Sequence, residues 1–310
     1  MTAQAVLFPG QGAQFVGMAA DLIDRCPATE TLFSQASEQM GEDLYKLCAE
    51  GPEDRLNSTA VSQPAIFVVS CAVVKAIEAA GGSLDAMGTA GLSLGEYSAL
   101  VFAGAMKFED ALAIVIKRGQ LMQEACDRHP SGMTSLLGLD LEAVRGVVAD
   151  CTDAGVVAVA NVNADKQIVI SGEHAALEKA GEIAKERGAR RVVPLKVAGA
   201  YHSPLMRSAS EALRPHLEAA EIVSPRIPFY NNVSGARVED PEQIRDGLMR
   251  QVESSVLWAP TLKQLVADGM QGALEPGPGK VVAGLVKQVD RGIPVQSVLD
   301  AETLEAFVNA

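Results

Sequence analysis

The sequence has no excess of positive charge. Of its 310 residues, 26 are Lys or Arg and 39 are Asp or Glu, which gives a formal net charge of −13. Proteins that bind nucleic acids neutralise phosphates with Lys and Arg, so this balance argues against a nucleic acid as partner. It argues against binding to an anionic membrane surface for the same reason.

Paired cysteines, a signal segment and a long apolar run are also missing. The five cysteines are odd in number and contain no Cys-x-x-Cys pair, so neither a disulfide framework nor a zinc site is expected. The N-terminus has no basic segment followed by an apolar one, which argues against a secretory signal. The most apolar stretch, 65–79, is short and carries Lys75 and Glu78, which argues against a membrane span. We therefore expect a cytoplasmic protein without a membrane partner.

The composition that remains is that of an ordinary globular protein, and its apolar segments alternate in type. A run over 3–8, ended by Pro9-Gly10, predicts a buried strand. A helix is expected after Gln63-Pro64 and as far as 79, followed by a strand around 85–90 and a helix from Gly95 onward. This alternation predicts an α/β protein with a mostly parallel sheet.

The middle of the chain has a different order of elements. The pattern predicts β-α-β-β-α-β, with strands over 133–138, 156–161, 167–171 and 190–197 and helices over 141–149 and 173–187. A polar turn over 163–166 is expected between the two central strands. This order is the ferredoxin-like pattern. It predicts a small subdomain, 129–198, inserted into a large domain formed by 1–128 and 199–310.

A serine between two glycines is the first candidate for chemistry. The stretch Gly91-Leu92-Ser93-Leu94-Gly95 has the G-x-S-x-G form of a nucleophile elbow, in which a sharp turn between strand and helix exposes the serine hydroxyl. The backbone N–H of Leu94 can then face a developing oxyanion. The motif alone leaves open a glycine-rich turn with a solvated serine.

A serine nucleophile needs a base, and the chain has four histidines. His129, His174 and His216 stand in polar or charged surroundings, which favours surface positions. His202 precedes Ser203 and Pro204, which can serve as N-cap and first helical residue. A helix N-terminus disfavours the imidazolium and so keeps a neutral base available. The alternative that stays open is a histidine beside the helix N-cap with no role in catalysis.

Several spaced motifs carry a family resemblance. "FPGQGAQ" follows the first strand, "GLSLGEYSAL" lies at 91–100 and "GAYHSPLM" lies at 199–206. With "QPAI", "KRG", "YNNV" and "GPGK" in the same order, the chain resembles malonyl-CoA–acyl carrier protein transacylases over essentially its whole length. The resemblance implies an α/β-hydrolase-like core with a parallel sheet, plus an inserted ferredoxin-like α+β subdomain.

The resemblance also implies a catalytic apparatus. Ser93 would attack a thioester carbonyl while His202 takes its proton. The backbone N–H groups of Gln11 and Leu94 would hold the oxyanion. The backbone carbonyl of Gln251 would orient the histidine, in place of an acid.

The implied substrate residues suit a malonyl group. Arg118 would bind its free carboxylate, because the planar guanidinium pairs with a carboxylate through two donors and stays charged. Without the resemblance, the favoured interpretation of Arg118 would be a solvated arginine of the Lys117-Arg118 pair on a helix. Gln63 would lie in the pocket, with Asn161 and Asn163 near the acyl or CoA end. Tyr201 resembles the bulky residue of malonyl-specific relatives and would crowd an α-methyl branch.

The implied reaction moves malonyl from CoA to the phosphopantetheine thiol of an acyl carrier protein through a malonyl-serine intermediate, in fatty-acid synthesis. No cofactor or metal is expected, and the protein is expected to be a monomer. Carrier proteins are typically acidic, as this chain is, so a local basic patch is expected beside the cleft. The candidates, for which a solvated helix end is the alternative, are Lys185, Arg187, Arg190, Arg191 and Lys196.

One residue departs from the family pattern, and other functions stay open. The family usually has histidine at Leu92, so reaction rate, acyl preference and partner are in question. A serine hydrolase or thioesterase, a polyketide-type acyltransferase with another acyl preference and a non-catalytic carrier-docking module are the alternatives. Nucleotide binding is disfavoured, because Phe15 stands where G-x-G-x-x-G needs glycine and Val281 follows Lys280 where a P-loop needs Ser or Thr.

Overall fold

The computed structural model describes residues 3–309, apart from the side chain of Asp24. Its strands are β1 (Gln4–Phe8), β2 (Gly88–Gly91), β3 (Ser131–Leu137), β4 (Val157–Ala164), β5 (Gln167–Glu173), β6 (Arg191–Pro194), β7 (Phe229–Tyr230), β8 (Arg237–Val238), β9 (Gly272–Pro276) and β10 (Val295–Val298). Its α-helices are α1 (Leu22–Arg25), α2 (Glu30–Met40), α3 (Leu44–Glu50), α4 (Glu53–Asn57), α5 (Thr59–Ala79), α6 (Gly95–Phe102), α7 (Phe108–Arg128), α8 (Leu141–Ala149), α9 (His174–Glu186), α10 (Arg207–Ala219), α11 (Pro241–Gln251), α12 (Trp258–Ala267), α13 (Val281–Val289) and α14 (Ala301–Val308).

The larger sheet is mostly parallel and buried on both faces. Its strand order is β10-β9-β1-β2-β7-β8, and every neighbouring pair is parallel except β7 with β8. Along β1, Val6 and Phe8 join the core that contains α5 and α7, whereas Ala5 and Leu7 join the core that contains α12 and α13. Successive side chains of a strand point to opposite faces, so this short apolar run serves two cores.

The smaller sheet is antiparallel, with strand order β4-β5-β3-β6. Helices α8 and α9 pack on it around a separate apolar core, which completes the β-α-β-β-α-β order. The predicted α/β class, with a parallel sheet and a second antiparallel α+β unit, is confirmed. The turn expected over 163–166 is shorter, because β4 continues to Ala164 and pairs there with Gln167.

Helix α5 begins earlier than the sequence pattern predicted. It starts at Thr59, so Gln63 and Pro64 lie inside it rather than before it, and both are buried. Proline removes one helical hydrogen bond, but burial of this helix in the core outweighs the local preference. By length and composition α5 could also cross a membrane. However, 83% of its most apolar window is buried inside the protein, as in a core helix.

The topology brings two loops and the small sheet to one place. Strands β1 and β2 are parallel neighbours that end together, with Phe8 opposite Gly91, so the loops after both strands lie at the same edge of the sheet. Such an edge is the usual ligand site of an open α/β sheet. The small sheet meets it through β4, where Val162 N–H donates to the carbonyl of Val256 at 2.9 Å.

Candidate active site

The turn that carries Ser93 needs glycine on both sides. A Cβ atom on Gly91 would lie 1.9 Å from the carbonyl carbon of Gly95, and one on Gly95 would lie 2.5 Å from the carbonyl oxygen of Phe8. Ser93 itself has a φ of 52°, in the left-handed region that non-glycine residues seldom adopt. The backbone therefore makes the sharp strand-to-helix turn expected from the motif, with the serine at its apex.

Ser93 and His202 form a hydrogen-bonded pair. The Oγ atom of Ser93 lies 2.8 Å from Nε2 of His202, and Nδ1 of His202 lies 2.9 Å from the carbonyl oxygen of Gln251. A carbonyl oxygen only accepts, so Nδ1 carries the proton and Nε2 is left to accept from the serine hydroxyl. The pair has the geometry of a nucleophile and its general base.

The surroundings of His202 keep it neutral. Burial, followed by the positive charge of Arg118, lowers its pKa to about 4, although the Gln251 carbonyl acts in the opposite direction. The local structure is as predicted, since Ser203 caps a short helical turn that starts at Pro204. The other histidines are exposed: His129, His174 and His216.

Arg118 places a buried cation beside the nucleophile. Its side chain is 1% exposed, and Nη1 donates to Oε1 of Gln63 at 2.6 Å. The Nη2 group donates to Oε1 of Gln251 at 2.9 Å and to Oγ of Ser93 at 3.1 Å. Within residues 3–309 its Nε–H has no acceptor. Because neutral groups rather than carboxylates hold this guanidinium, it can still pair with an anionic substrate.

Two backbone N–H groups near the elbow are free to bind an oxyanion. Neither Gln11 N–H nor Leu94 N–H donates to an acceptor in the described part of the chain. A Cβ atom on Gly10 would lie 2.2 Å from the carbonyl oxygen of Leu92, so the loop that carries Gln11 packs directly against the elbow. The arrangement is that of an oxyanion hole built from two loops.

These groups open into one cleft of about 250 Å³ between the two sheets. Asn161 and Asn163 alternate along β4 and line it, whereas Val162 and Ala164 between and after them are buried. The cleft includes most of the predicted site residues: Gln11, Ser93, Arg118, Asn161, Asn163, Tyr201 and His202. Gln63 and Gln251 lie against Arg118, and Leu94 follows the nucleophile.

Tyr201 forms a fixed wall of the cleft. It is 5% exposed, and its hydroxyl is hydrogen-bonded to Oγ1 of Thr59 and accepts from Nε2 of Gln11 at 3.2 Å. Its backbone carbonyl accepts from the Ser171 hydroxyl at 2.7 Å. With both ends held, the side chain is a fixed part of the cleft wall.

Leu92 lies in the apolar part of the cleft wall. It belongs to the buried apolar cluster that includes Val282 and Leu285 of α13. The partners of Ser93 in hydrogen bonds are His202, Arg118, Asn232, Gln251 and the backbone N–H of Glu96, so none of these bonds depends on the side chain at 92. Leucine therefore leaves the geometry of the serine intact.

Sequence reasoning missed two residues that hold the elbow. Asn232 accepts from Ser93 N–H at 2.6 Å through Oδ1 and donates to the carbonyl of Gly91 at 2.8 Å through Nδ2. Glu96 is buried behind the serine and accepts from the backbone N–H of Asn232. The available signals were the place of Asn232 in the "YNNV" motif and a lone charge in an apolar helix.

Comparison with known proteins agrees with this geometry. Residues 6–299 match the family model of the acyl transferase domain. The chain is 42% identical over 309 residues to the malonyl CoA-acyl carrier protein transacylase of Bacillus subtilis. The matched region covers 99% of this chain and 97% of the relative. It is 40% identical over 302 residues to the Haemophilus influenzae protein of the same name, with 97% of each chain covered.

Solved structures give the same family. The chain superposes with a TM-score of 0.94 and 40% identity on an acyl carrier protein S-malonyltransferase from Vibrio cholerae, over 98% of this chain and 99% of that one. It superposes with a TM-score of 0.94 and 38% identity, over 99% of both chains, on a malonyl-transacylase in complex with its type II PKS acyl-carrier protein. The elbow, the fold and these relatives together show that the chain belongs to the acyl transferase domain family, as an acyltransferase of the malonyl CoA-acyl carrier protein transacylase group.

Proposed function

We propose that the protein transfers a malonyl group from malonyl-CoA to the phosphopantetheine thiol of an acyl carrier protein, and so loads extender units for fatty-acid synthesis. One observation carries the proposal: the guanidinium of Arg118 lies 3.1 Å from the Ser93 hydroxyl, which in turn lies 2.8 Å from His202. A buried cation beside a serine nucleophile suits an acyl group that ends in a carboxylate. An enzyme for simple acyl chains has no need of it.

The first half-reaction acylates the serine. Ser93 Oγ attacks the thioester carbonyl carbon as Nε2 of His202 takes the hydroxyl proton, and the N–H groups of Gln11 and Leu94 bind the oxyanion. When the tetrahedral intermediate collapses, the carbon–sulfur bond breaks and the CoA sulfur takes the proton from His202. The product is a malonyl-serine whose carboxylate pairs with Arg118.

The second half-reaction repeats these steps with a new nucleophile. The carrier thiol gives its proton to His202 and attacks the malonyl-serine carbonyl, and the serine leaves with that proton. CoA departs before the carrier binds, so the kinetics are ping-pong. The chemistry uses only protein side chains and backbone N–H groups, without a metal or cofactor. The fixed ring of Tyr201 favours malonyl over an α-methyl-branched acyl group.

The carrier is proposed to dock on a basic surface beside the cleft. Arg190 lines a concave surface together with Lys166, Lys287 and Arg291. We call these four residues the basic surface. This surface lies beside the cleft, because both are lined by residues of β3, β4 and α13. Asp165 also lines this surface but forms an ion pair with Lys263. An acidic carrier would therefore meet an excess of positive charge beside the cleft, although the whole chain is acidic.

Of the five cations predicted to flank the docking cleft, Lys185 and Arg190 line different concave surfaces. Arg187 forms an ion pair with Asp150, and Lys185 lines a different concave surface that also contains Glu178 and Glu182. Arg191 and Lys196 are exposed. Of the five, Arg190 therefore has the surroundings best suited to an acidic partner.

The test is transfer to a carrier protein in solution. The protein would be mixed with malonyl-CoA and a phosphopantetheinylated acyl carrier protein, and the mass of the carrier and the release of CoA followed together. Malonylated carrier in proportion to released CoA supports the proposal, provided that Ser93→Ala abolishes both. CoA release with free malonate and an unmodified carrier would instead identify a thioesterase. Carriers from a fatty-acid and a type II polyketide system, compared side by side, decide which pathway is served.

A further inference from the structure

Glu96 is a buried carboxylate that the proposed reaction does not use. It is the second residue of α6, directly behind the nucleophile elbow, and is 1% exposed. A carboxylate is seldom buried to this degree unless its oxygens are paired, because removing it from water is costly. Its position therefore calls for a specific role.

Both oxygens of Glu96 accept hydrogen bonds from N–H donors. Oε1 accepts from the backbone N–H of Asn232, and Oε2 accepts from Nε2 of Gln251. Each oxygen faces a donor, which is the pattern of an ionised carboxylate. Burial raises the pKa of Glu96, whereas these two hydrogen bonds and the charge of Arg118 lower it. Because both oxygens face N–H donors, the geometry holds the ionised form.

The two residues that Glu96 binds hold the rest of the site. Asn232 bonds the backbone of both Gly91 and Ser93. Gln251 donates from Nε2 to the Ser93 carbonyl at 2.9 Å and accepts from Arg118 through Oε1 at 2.9 Å, while its backbone carbonyl accepts from Nδ1 of His202 at 2.9 Å. One carboxylate thus reaches nucleophile, base and substrate cation, each through one intermediary.

We propose that Glu96 is a positioning residue: its carboxylate fixes Gln251 and Asn232, and through them the relative placement of Ser93, His202 and Arg118. This role rests on the proposed function. The orientation of the Gln251 amide depends on it most directly, because Nε2 must face Glu96 for Oε1 to face Arg118. Without the carboxylate, rotation of that amide would turn a donor toward the guanidinium and repel it.

The test begins with Glu96→Gln, which keeps size but replaces one acceptor oxygen with a donor NH₂ group. One of the two N–H donors then loses its partner. We expect the rate of Ser93 acylation by malonyl-CoA to fall about 10²-fold, the effect of misplacing a catalytic group by about 1 Å. If this variant does not fold, Glu96→Asp, which retains the charge on a shorter stem, carries the same prediction.

A matched control separates positioning from stability. Glu275 is also a fully buried carboxylate, and it accepts from the N–H groups of Val282 and Ala283 at the start of α13. Glu275→Gln should lower the melting temperature and leave the acylation rate near the wild-type value. If Glu275→Gln and Glu96→Gln slow acylation equally, the positioning role is wrong.

A double-mutant cycle tests whether the effect passes through Gln251. Gln251→Met removes the side-chain amide and keeps the backbone carbonyl that His202 binds. If Glu96 acts through this amide, Glu96→Gln should cost much less in the Gln251→Met background than in the wild type. Full additivity would overturn the proposed route. Failure of the wild-type protein to form any malonyl-serine would instead reject the proposed function itself.

Discussion

At the scale of single residues, the site is built around two strained positions. Ser93 and His202 have φ values of 52° and 58°, both in the left-handed region. Such strain persists only where surrounding contacts determine the backbone, and it is concentrated at functional sites. Here Asn232 holds the backbone of Ser93, and His202 N–H donates to the carbonyl of Val252 at 3.2 Å.

Arg118→Gln should separate acyl specificity from the chemistry of the serine. Truncating one partner of a buried, hydrogen-bonded charge pair costs about 2–5 kcal/mol. We expect kcat/KM for malonyl-CoA to fall about 10²-fold or more, and that for acetyl-CoA, which has no carboxylate, to fall much less. Arg128→Gln, at an exposed arginine of the same helix, is the control. An equal loss for both donors would contradict the assigned role.

The pH dependence follows from the buried base. His202 has a pKa of about 4, so it is neutral and able to accept a proton at pH 7. Acylation measured by rapid quench should therefore be flat through pH 6 and fall only as the pH approaches about 4. In Arg118→Gln the fall should move to higher pH, because the cation no longer disfavours the imidazolium. A fall centred near pH 6.5 in the wild type would show an unperturbed histidine.

The lowered pKa of His202 also affects the stability of the fold. The histidine of the unfolded chain binds a proton near its ordinary value of about 6.5, whereas the folded protein takes it up only near 4. Between these pH values the unfolded state binds more protons, so the contribution of His202 to the free energy of unfolding is lost as the pH falls through this window.

At the scale of elements, the junction of β2 with α6 is the critical turn. A Cβ atom on Gly91 would meet the Gly95 backbone at 1.9 Å, with no flexible side chain to move away. Gly91→Ala should therefore lower the melting temperature and abolish acylation together, as measured by calorimetry and intact mass. Gly284→Ala in α13 is the matched control, because its Cβ meets nothing within 4 Å and alanine favours a helix. Retained activity in Gly91→Ala would show that the turn needs no glycine there.

Elements with local signals were the ones that the sequence predicted well. Helix α8 has the predicted bounds, and the β-α-β-β-α-β order of the small unit is observed. The start of α5 was wrong because Pro64 resembles a helix boundary, and only packing in the core shows otherwise. Strand β6 ends at Pro194 rather than 197. Although Leu195 N–H still donates to the carbonyl of Met133, Val197 N–H turns back to the carbonyl of Leu195 and does not extend the ladder.

The residues of the site also fall into those with a local sequence signal and those without one. Ser93 and His202 stand in compact motifs, whereas their supports come from far along the chain. Asn232 is 139 residues from the serine that it holds, and Gln251 is 155 residues from Glu96. A single sequence carries no local pattern for such pairs, so the residues that orient the site became visible only in the folded molecule.

At the scale of the whole molecule, a net charge of −13 must be reconciled with an acidic partner. The basic surface of Lys166, Arg190, Lys287 and Arg291 offers local attraction. Arg190→Glu combined with Arg291→Glu should raise KM for the carrier by about tenfold or more at low salt, with the difference shrinking as ionic strength rises. The rates of malonyl-CoA hydrolysis and of Ser93 acylation, both measured without carrier, serve as internal references.

The matched control for this surface is Lys185→Glu, at a position on the other concave surface of the small unit. It is compared with Arg190→Glu alone, because each single reversal changes the net charge by the same amount, and it does not touch the basic surface. Equal effects of the two changes on the carrier KM would mean that overall charge, and not this surface, governs docking.

The central claim is that Ser93 carries the acyl group between donor and acceptor, with His202 as its base. The most direct measurement is the intact mass of the protein after brief exposure to malonyl-CoA, followed by peptide mapping and repeated with Ser93→Ala. The account predicts one malonyl adduct on the peptide that contains Ser93, absent from the variant and removed when holo carrier protein is added. An adduct that persists in Ser93→Ala, or transfer to the carrier without any covalent intermediate, would contradict it.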